Sequence, residues 1–244
     1  MNQQILTVRS NRALTEAVYE MKLGGDMSAF TAPGQFVNIR LDGFYLRRPI
    51  SVCDLRDNEL TILYKVVGHG TEAMSRLGEG ARLDTLCGLG NGYDLTKSGQ
   101  NPVLIGGGVG IPPLFLLAKK LIEKRVSPSV VLGFNRADEI FYEDEFKSLG
   151  IPVTVATADG SRGVKGFVTD ALPNRYSYFY TSGPEPMLKA VYRATVTSGQ
   201  FSFEARMGCG FGACMGCSCK TVTGFKRICR EGPVLEKEEI LWES

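Results

Sequence analysis

The feature that most constrains this chain is a crowd of cysteines near its carboxyl end. Five of its seven cysteines fall between Cys209 and Cys229. Scattered cysteines usually serve as small buried hydrophobes, and Cys53 and Cys87 are expected to belong to that class. The crowded five have few large apolar neighbours and need another explanation. The stretch from Met1 to Leu14 lacks the apolar core of a secretory signal, so a reducing cytoplasm is expected, where disulfides do not persist. A metal centre is the expected use of these thiols.

Their order is Cys209-x4-Cys214-x2-Cys217, then eleven residues, then Cys229. A [2Fe–2S] cluster takes four thiolates, and one compact loop supplies three of them if its backbone curls around the irons. Gly208, Gly210, Gly212 and Gly216 suit that loop, because glycine tolerates positive φ and lets amide N–H groups approach sulfur. The spacing is that of plant-type ferredoxins. A structural zinc site is usually built from two Cys-x2-Cys knuckles, and only one occurs here. Cys219 is left out of the ligand set, because it would make a cramped Cys-x-Cys with Cys217.

Upstream, the chain reads as two further units. From Ile5 to about Leu95, short alternating runs such as Gln35–Leu41 and Glu59–Val67 lie between turn signals, which predicts a small antiparallel β-barrel or sandwich. A short helix is expected over Thr71–Leu77. From about Ser98 the pattern changes to strands at 103–105, 130–132, 153–155 and 178–180. Helices are expected over Pro112–Lys124, Glu139–Leu149 and Glu185–Ser198. Strands alternating with helices predict an α/β domain on a parallel sheet. The expected units are 1–97, 98–201 and 202–244, the last too small for a strong core without a metal centre. Formal net charge is +2 with no basic block, which excludes a basic nucleic-acid-binding face. The longest apolar run, Ile111–Ala118, is far short of the roughly 20 residues that span a bilayer.

Three segments have the composition of ligand-binding turns. Arg47-Arg48-Pro49-Ile50-Ser51 offers a guanidinium fork for phosphate and a hydroxyl for a ring edge; a surface arginine pair is the plain alternative. Gly70-Thr71 lies where a helix begins, suited to an anion or simply to capping. Gly106-Gly107-Gly108-Val109-Gly110-Ile111-Pro112 joins a strand to a helix, and Ser182-Gly183-Pro184-Glu185 does so again. Such turns lie at the strands' carboxyl ends, where α/β sheets bind ligands. The first is not the G-x-G-x-x-G fingerprint, since Ile111 takes the third glycine's place. His69, the only histidine, is given no role.

Taken together, LRRPIS (46–51), LYKV (63–66), GHGT (68–71), LGNGY (89–93), IGGGVGIPPL (105–114), LGFNRADEIFYEDEF (132–146), ATADGS (156–161), SGPEPMLKA (182–190), EARMGCGFGACMGCSCK (204–220) and CREGPV (229–234) resemble the ferredoxin–NADP reductase-like flavoproteins. Within them the chain is most similar to the electron-transfer subunits of class 1B dihydroorotate dehydrogenases, over essentially its whole length. The resemblance implies an FAD-binding β-barrel, an NAD-binding α/β domain and a C-terminal [2Fe–2S] domain. It implies that Arg48, Pro49, Ile50, Ser51, Leu63, Tyr64 and Lys65 hold FAD, with Gly70 and Thr71 beside its pyrophosphate. Gly107, Gly108 and Gly110 would serve the cofactor turn, and Cys209, Cys214, Cys217 and Cys229 match the cluster ligands. Lys65 departs from a common arginine, and Ser182 from a common cysteine.

The implied partner is an FMN-containing dihydroorotate dehydrogenase catalytic subunit, in a heterotetramer of two of each, serving pyrimidine biosynthesis. Neither nucleic acid nor membrane is expected as a partner. Electrons would pass from that FMN through the cluster to FAD and then to NAD⁺. A flavin is needed because a one-electron cluster and a two-electron nicotinamide require a carrier able to do both. No side chain is expected to act as general acid or base, since the cofactors carry the chemistry. Asp138 and Glu139 favour NAD over NADP, and Arg136 weighs the other way. The alternative readings are a flavin and iron–sulfur subunit of another complex (ferredoxin–NADP reductase, sulfide dehydrogenase or sulfite reductase type) and a redox-sensing module without turnover.

Overall fold

The computed structural model describes residues 2–242. Met1 and residues 243–244, the outer ends of the first and third expected units, lie outside the described residues.

The amino-terminal part is β1 (Asn2–Ala13), β2 (Val18–Gly24), β3 (Phe36–Ile39), β4 (Arg48–Arg56), β5 (Glu59–Lys65), helix α1 (His69–Ser75) and β6 (Arg82–Leu89). Its strands close an antiparallel barrel in the order β1-β2-β5-β4-β3-β6. The alternation on β5 explains the closure. Leu60, Ile62 and Tyr64 point into the barrel core, whereas Leu63 joins a second core shared with the next domain. On β3, Val37 and Ile39 face inward, so Phe36 and Asn38 stand on the outer face.

The next part is β7 (Val103–Gly107), α2 (Pro112–Glu123), β8 (Ser129–Phe134), α3 (Glu143–Ser148), β9 (Val153–Thr157), β10 (Val164–Lys165), β11 (Phe179–Ser182), α4 (Glu185–Ala194) and β12 (Gly199–Ser202). A hairpin of β13 (Ser218–Thr221) and β14 (Gly224–Arg227) follows, and then β15 (Val234–Glu236). The large sheet runs β10-β9-β8-β7-β11-β12-β15, parallel except that β15 pairs antiparallel with β12. The carboxyl-terminal segment therefore leaves the sheet after β12 and returns to it as β15.

Two helices are shorter than the periodicity predicts. Helix α3 begins at Glu143 rather than Glu139, because Phe141 and Tyr142 turn their rings into the core and Tyr142 sits at φ 63°. A left-handed residue cannot continue a right-handed helix. Helix α4 ends at Ala194, where Thr195 turns extended and its hydroxyl donates to the Val191 carbonyl at 2.8 Å. Helix α1 starts at His69, so Thr71 lies inside it and its Oγ1 accepts from the Val67 amide at 2.9 Å.

Barrel and sheet are joined by packing and by two buried polar links. Lys119 on α2 pairs with the buried Asp54 of β4 at 2.5 Å. The Tyr142 hydroxyl donates to Oε2 of Glu20 on β2 at 2.8 Å.

Candidate functional site

The carboxyl ends of β7 and β8 and the β11–α4 turn face the Thr15–Val18 turn and Lys65 of the barrel across a cavity of about 780 Å³. That volume is in the range of small-molecule and cofactor sites. Three of the four glycines of the first turn divide between two uses. Gly107 and Gly108 line the cavity, and Gly108 is at φ 50° with open space where a Cβ would be. Gly110 is buried, and a Cβ there would lie 2.4 Å from the backbone of Gly183. Its missing side chain lets the two strand–helix turns pack backbone to backbone. Pro112 then opens α2, where its absent N–H costs nothing. Ser182 is buried.

At the end of β8, Asn135, Arg136, Asp138 and Glu139 line the same cavity. Arg136 pairs with Asp138 at 3.3 Å and with Glu139 at 3.8 Å. Two carboxylates thus compete for Arg136, which leaves that guanidinium little positive charge for an added phosphate. Glu204, just after β12, also lines the cavity. Its surface reaches solvent, yet the enclosing walls raise its carboxyl above the ordinary glutamate range. Sequence reasoning passed over Glu204, because a lone carboxylate on an extended segment has no spacing signature.

On the barrel, β4 and α1 bring Arg48 and Gly70 together: a Cβ on Gly70 would strike the Arg48 guanidinium at 2.2 Å. Arg48 also stacks over the Phe44 ring at 4.9 Å. Pro49 and Ser51 stand opposite Asn38 and Phe36 on the barrel's outer face, while Ile50 packs toward the interior. Leu63 is buried between the domains. The Tyr64 ring is buried in the barrel core, and its hydroxyl donates to Asn11 Oδ1 at 2.9 Å. Burial raises that phenol, and β5 pairs Tyr64 with Tyr19 of β2.

The four expected ligand cysteines lie in two pairs. Cys209 accepts from the amides of Ala213 at 3.2 Å and Cys214 at 3.5 Å. Cys217 accepts from the Cys229 amide at 3.4 Å. Gly210 at φ 80°, Gly212 at φ 92° and Met215 at φ 60° produce the curl. Arg227 braces it by donating to the Gly212 carbonyl at 2.7 Å. Burial would raise the Cys209 thiol, but the Cys214 and Phe211 amides and the Cys214 thiol outweigh it and bring it down to about 6. Burial and the neighbouring Cys217 thiol push Cys229 up to about 12.

Cys217 and Cys229 are buried in a core shared by barrel, sheet and carboxyl-terminal segment, whereas Cys214 is exposed. Among the described residues no three His, Cys, Asp or Glu side chains converge on one point for a single metal ion. Two thiols on each side suit two bridged irons better than one tetrahedral ion. Cys219 lies apart on β13 opposite Lys226, and Cys53 and Cys87 are fully buried.

Residues 204–241 match the family model described as the iron-sulfur cluster binding domain of dihydroorotate dehydrogenase B. Over nearly its full length the chain is similar to proteins named dihydroorotate dehydrogenase B (NAD(+)), electron transfer subunit. The one from Fusobacterium nucleatum subsp. nucleatum is 44% identical, covering 93% of this chain and 94% of that one. The one from Bacillus pumilus is 40% identical, covering 98% of both. Among solved structures, a chain of the NADH-dependent reduced ferredoxin-NADP oxidoreductase, reported for flavin-based electron bifurcation, superposes with a TM-score of 0.89. It is 31% identical over 98% of this chain and 90% of that one.

Proposed function

The chain belongs to the family of dihydroorotate dehydrogenase B (NAD(+)) electron transfer subunits, and from that premise we propose how its residues carry the electrons. It is an oxidoreductase subunit that works with a catalytic subunit, and its cofactors are FAD, a [2Fe–2S] cluster and NAD⁺ as acceptor. When bound, the cluster exchanges single electrons, FAD links single electrons to pairs, and NAD⁺ accepts a hydride.

The two-and-two disposition of the thiols carries the reading. Cys209 and Cys214 form the outer pair and Cys217 and Cys229 the inner pair, with backbone amides already directed at three of the four sulfurs. The donor set and the Gly-rich curl fit two irons. Arg48 against Gly70 at the start of α1, with Pro49 and Ser51 on the outer face, supports a flavin held along β4. Lys65, Gly107 and Gly108 line the facing cavity, which supports nicotinamide binding between the domains. The pairing of Arg136 with Asp138 and Glu139 favours a free ribose hydroxyl over a phosphate.

The division into 1–97, 98–201 and 202–244 is part of the same proposal, as is a heterotetramer with an FMN-containing catalytic subunit in the cytoplasm. Among the described residues no helix is long and apolar enough to cross a membrane. A flavin subunit of some other complex is disfavoured by identity, 40–44% to the dihydroorotate dehydrogenase B subunits against 31% to the ferredoxin-NADP oxidoreductase chain.

The test is anaerobic co-expression with a dihydroorotate-oxidising flavoprotein. The expected result is flavin, iron and acid-labile sulfide in this chain and NADH formation coupled to orotate. Protein without iron and sulfide, or with both but unable to couple orotate to NAD⁺, overturns the reading.

A further inference from the structure

Asn38 stands where the cluster loop meets the barrel. It lies on β3 with its side chain on the outer face, directly opposite Pro49 in the β3–β4 register. Directly opposed residues on one face of an antiparallel pair have Cβ atoms about 5 Å apart. Its Nδ2 donates to the backbone carbonyl of Cys209 at 3.2 Å. The next residue, Gly210, lies flat on the same amide: a Cβ there would be 2.2 Å from Asn38 Nδ2. The backbone carbonyl of Asn38 accepts from Arg47, next to Arg48, at 3.3 Å. One residue thus touches both the first cluster ligand and the strand assigned to the flavin.

Stability alone does not account for an asparagine at this position. Asn38 is 1% exposed, and its Oδ1 has no hydrogen-bond partner among the described residues. A buried amide oxygen without a donor opposes folding, and an apolar side chain would fill the site without that penalty. The amide is better explained by what it holds.

Resting on the cofactor assignment above, we propose that Asn38 is a positioning residue that fixes the Cys209 end of the cluster loop against the flavin face of the barrel. It thereby sets the coupling between the two redox centres. No bond of Asn38 is made or broken. Its N–H draws electron density from the Cys209 peptide, and its contact with Gly210 sets how closely the loop approaches Pro49. Hydrogen bonds and charge around the ligands are among the factors that set a cluster's potential.

The experiment compares the anaerobic holo-chain with its Asn38→Leu and Asn38→Asp variants. Flavin, iron and sulfide contents, the paramagnetic resonance spectrum of the reduced cluster and its midpoint potential are measured. Stopped-flow then follows NADH reducing the flavin and the flavin reducing the cluster. Both variants are expected to keep flavin and iron and to accept hydride from NADH at the wild-type rate. In both, transfer between flavin and cluster should slow several-fold, with a changed resonance spectrum and a lower potential, lowest in Asn38→Asp at a pH high enough to ionise its buried carboxyl.

Asn38→Asp preserves volume and shape, so it decides the matter if leucine disturbs loading. Wild-type spectrum, potential and transfer rate in Asn38→Asp, measured at a pH where the carboxyl is ionised and cannot donate, overturn the inference. Loss of iron from both variants in proportion to the lost rate does so too, because Asn38 would then be a structural brace. If the wild-type protein lacks iron and sulfide, the cofactor assignment falls and this inference with it.

Discussion

Replacing Tyr142 with phenylalanine removes one oxygen from the buried link between barrel and sheet. The ring is 6% exposed and packs edge-on to Phe115 with centroids 5.2 Å apart, so the substitution opens little space. What is lost is the bond to Glu20, itself 4% exposed. Glu20 keeps the Arg12 guanidinium at 2.8 Å, but its Oε2 is left without the Tyr142 donor inside the protein. Hydrogen bonds to charged groups are worth about 1.5–3 kcal/mol. For a chain of this length each kcal/mol shifts the melting temperature by about 2–4 °C, so Tyr142→Phe should melt about 3–12 °C lower.

Calorimetry of the holo-protein measures this shift, and a double-mutant cycle with Glu20→Gln isolates the pair. Burial, and then the neighbouring Cys53 and Glu20, hold the Tyr142 phenol far above its ordinary range, so the shift should be constant across neutral pH. A melting point within about 1 °C of wild type, or additive single and double substitutions, would show that the link adds nothing beyond packing.

Gly110→Ala should weaken NADH binding while flavin content stays at the wild-type level, as read by equilibrium titration. Its methyl would meet the Gly183 backbone at 2.4 Å and cost about 1–3 kcal/mol by overpacking the paired turns. Cys214→Ala should abolish cluster loading, whereas Cys219→Ser should retain full iron and sulfide; chemical assay of iron and sulfide in each variant checks the pair. Glu143 bonds Lys147 at 2.7 Å and Arg162 at 3.1 Å. Burial raises its carboxyl, but these bonds outweigh burial and hold it below the ordinary range. A lowered folded value stabilises above the unfolded value and loses that contribution as pH falls. Glu143→Gln should therefore be less stable than wild type at pH 7, with the gap closing below about pH 4.3 in denaturant titrations.

The parts of the fold that were legible in sequence are those set by local chemistry. The alternation of Leu60, Ile62 and Tyr64 against Thr61 and Leu63 names a strand with two faces, and β5 has both. Pro112 after a run of glycines marks where α2 starts. Tertiary contacts decided the rest. The segment from Glu139 reads as helix, yet Tyr142 adopts φ 63° and carries its hydroxyl to a carboxylate 122 positions away. Of the four glycines that look alike at 106–110, Gly107 and Gly108 face the cavity and Gly110 permits packing. Asn38 and Glu204 carry no pattern at all, since their surroundings come from distant strands that only the folded chain assembles.

The same reasoning explains how a segment too short for its own core holds a cluster loop still. It shares a core that contains Phe36 and Leu89 from the barrel, Val103 and Phe201 from the sheet and Ile228, Leu235 and Ile240 from the segment itself. Antiparallel pairing of β15 with β12 anchors its far end. Asn91 of the barrel donates to the Val234 carbonyl at 2.7 Å, fastening that strand to the first unit as well. The inner thiols, Cys217 and Cys229, lie inside this shared core, and the outer Cys214 is left at the surface. A cluster held by these thiols would be fixed by the shared core at Cys217 and Cys229 and by Asn38 at Cys209, and would reach the surface at Cys214.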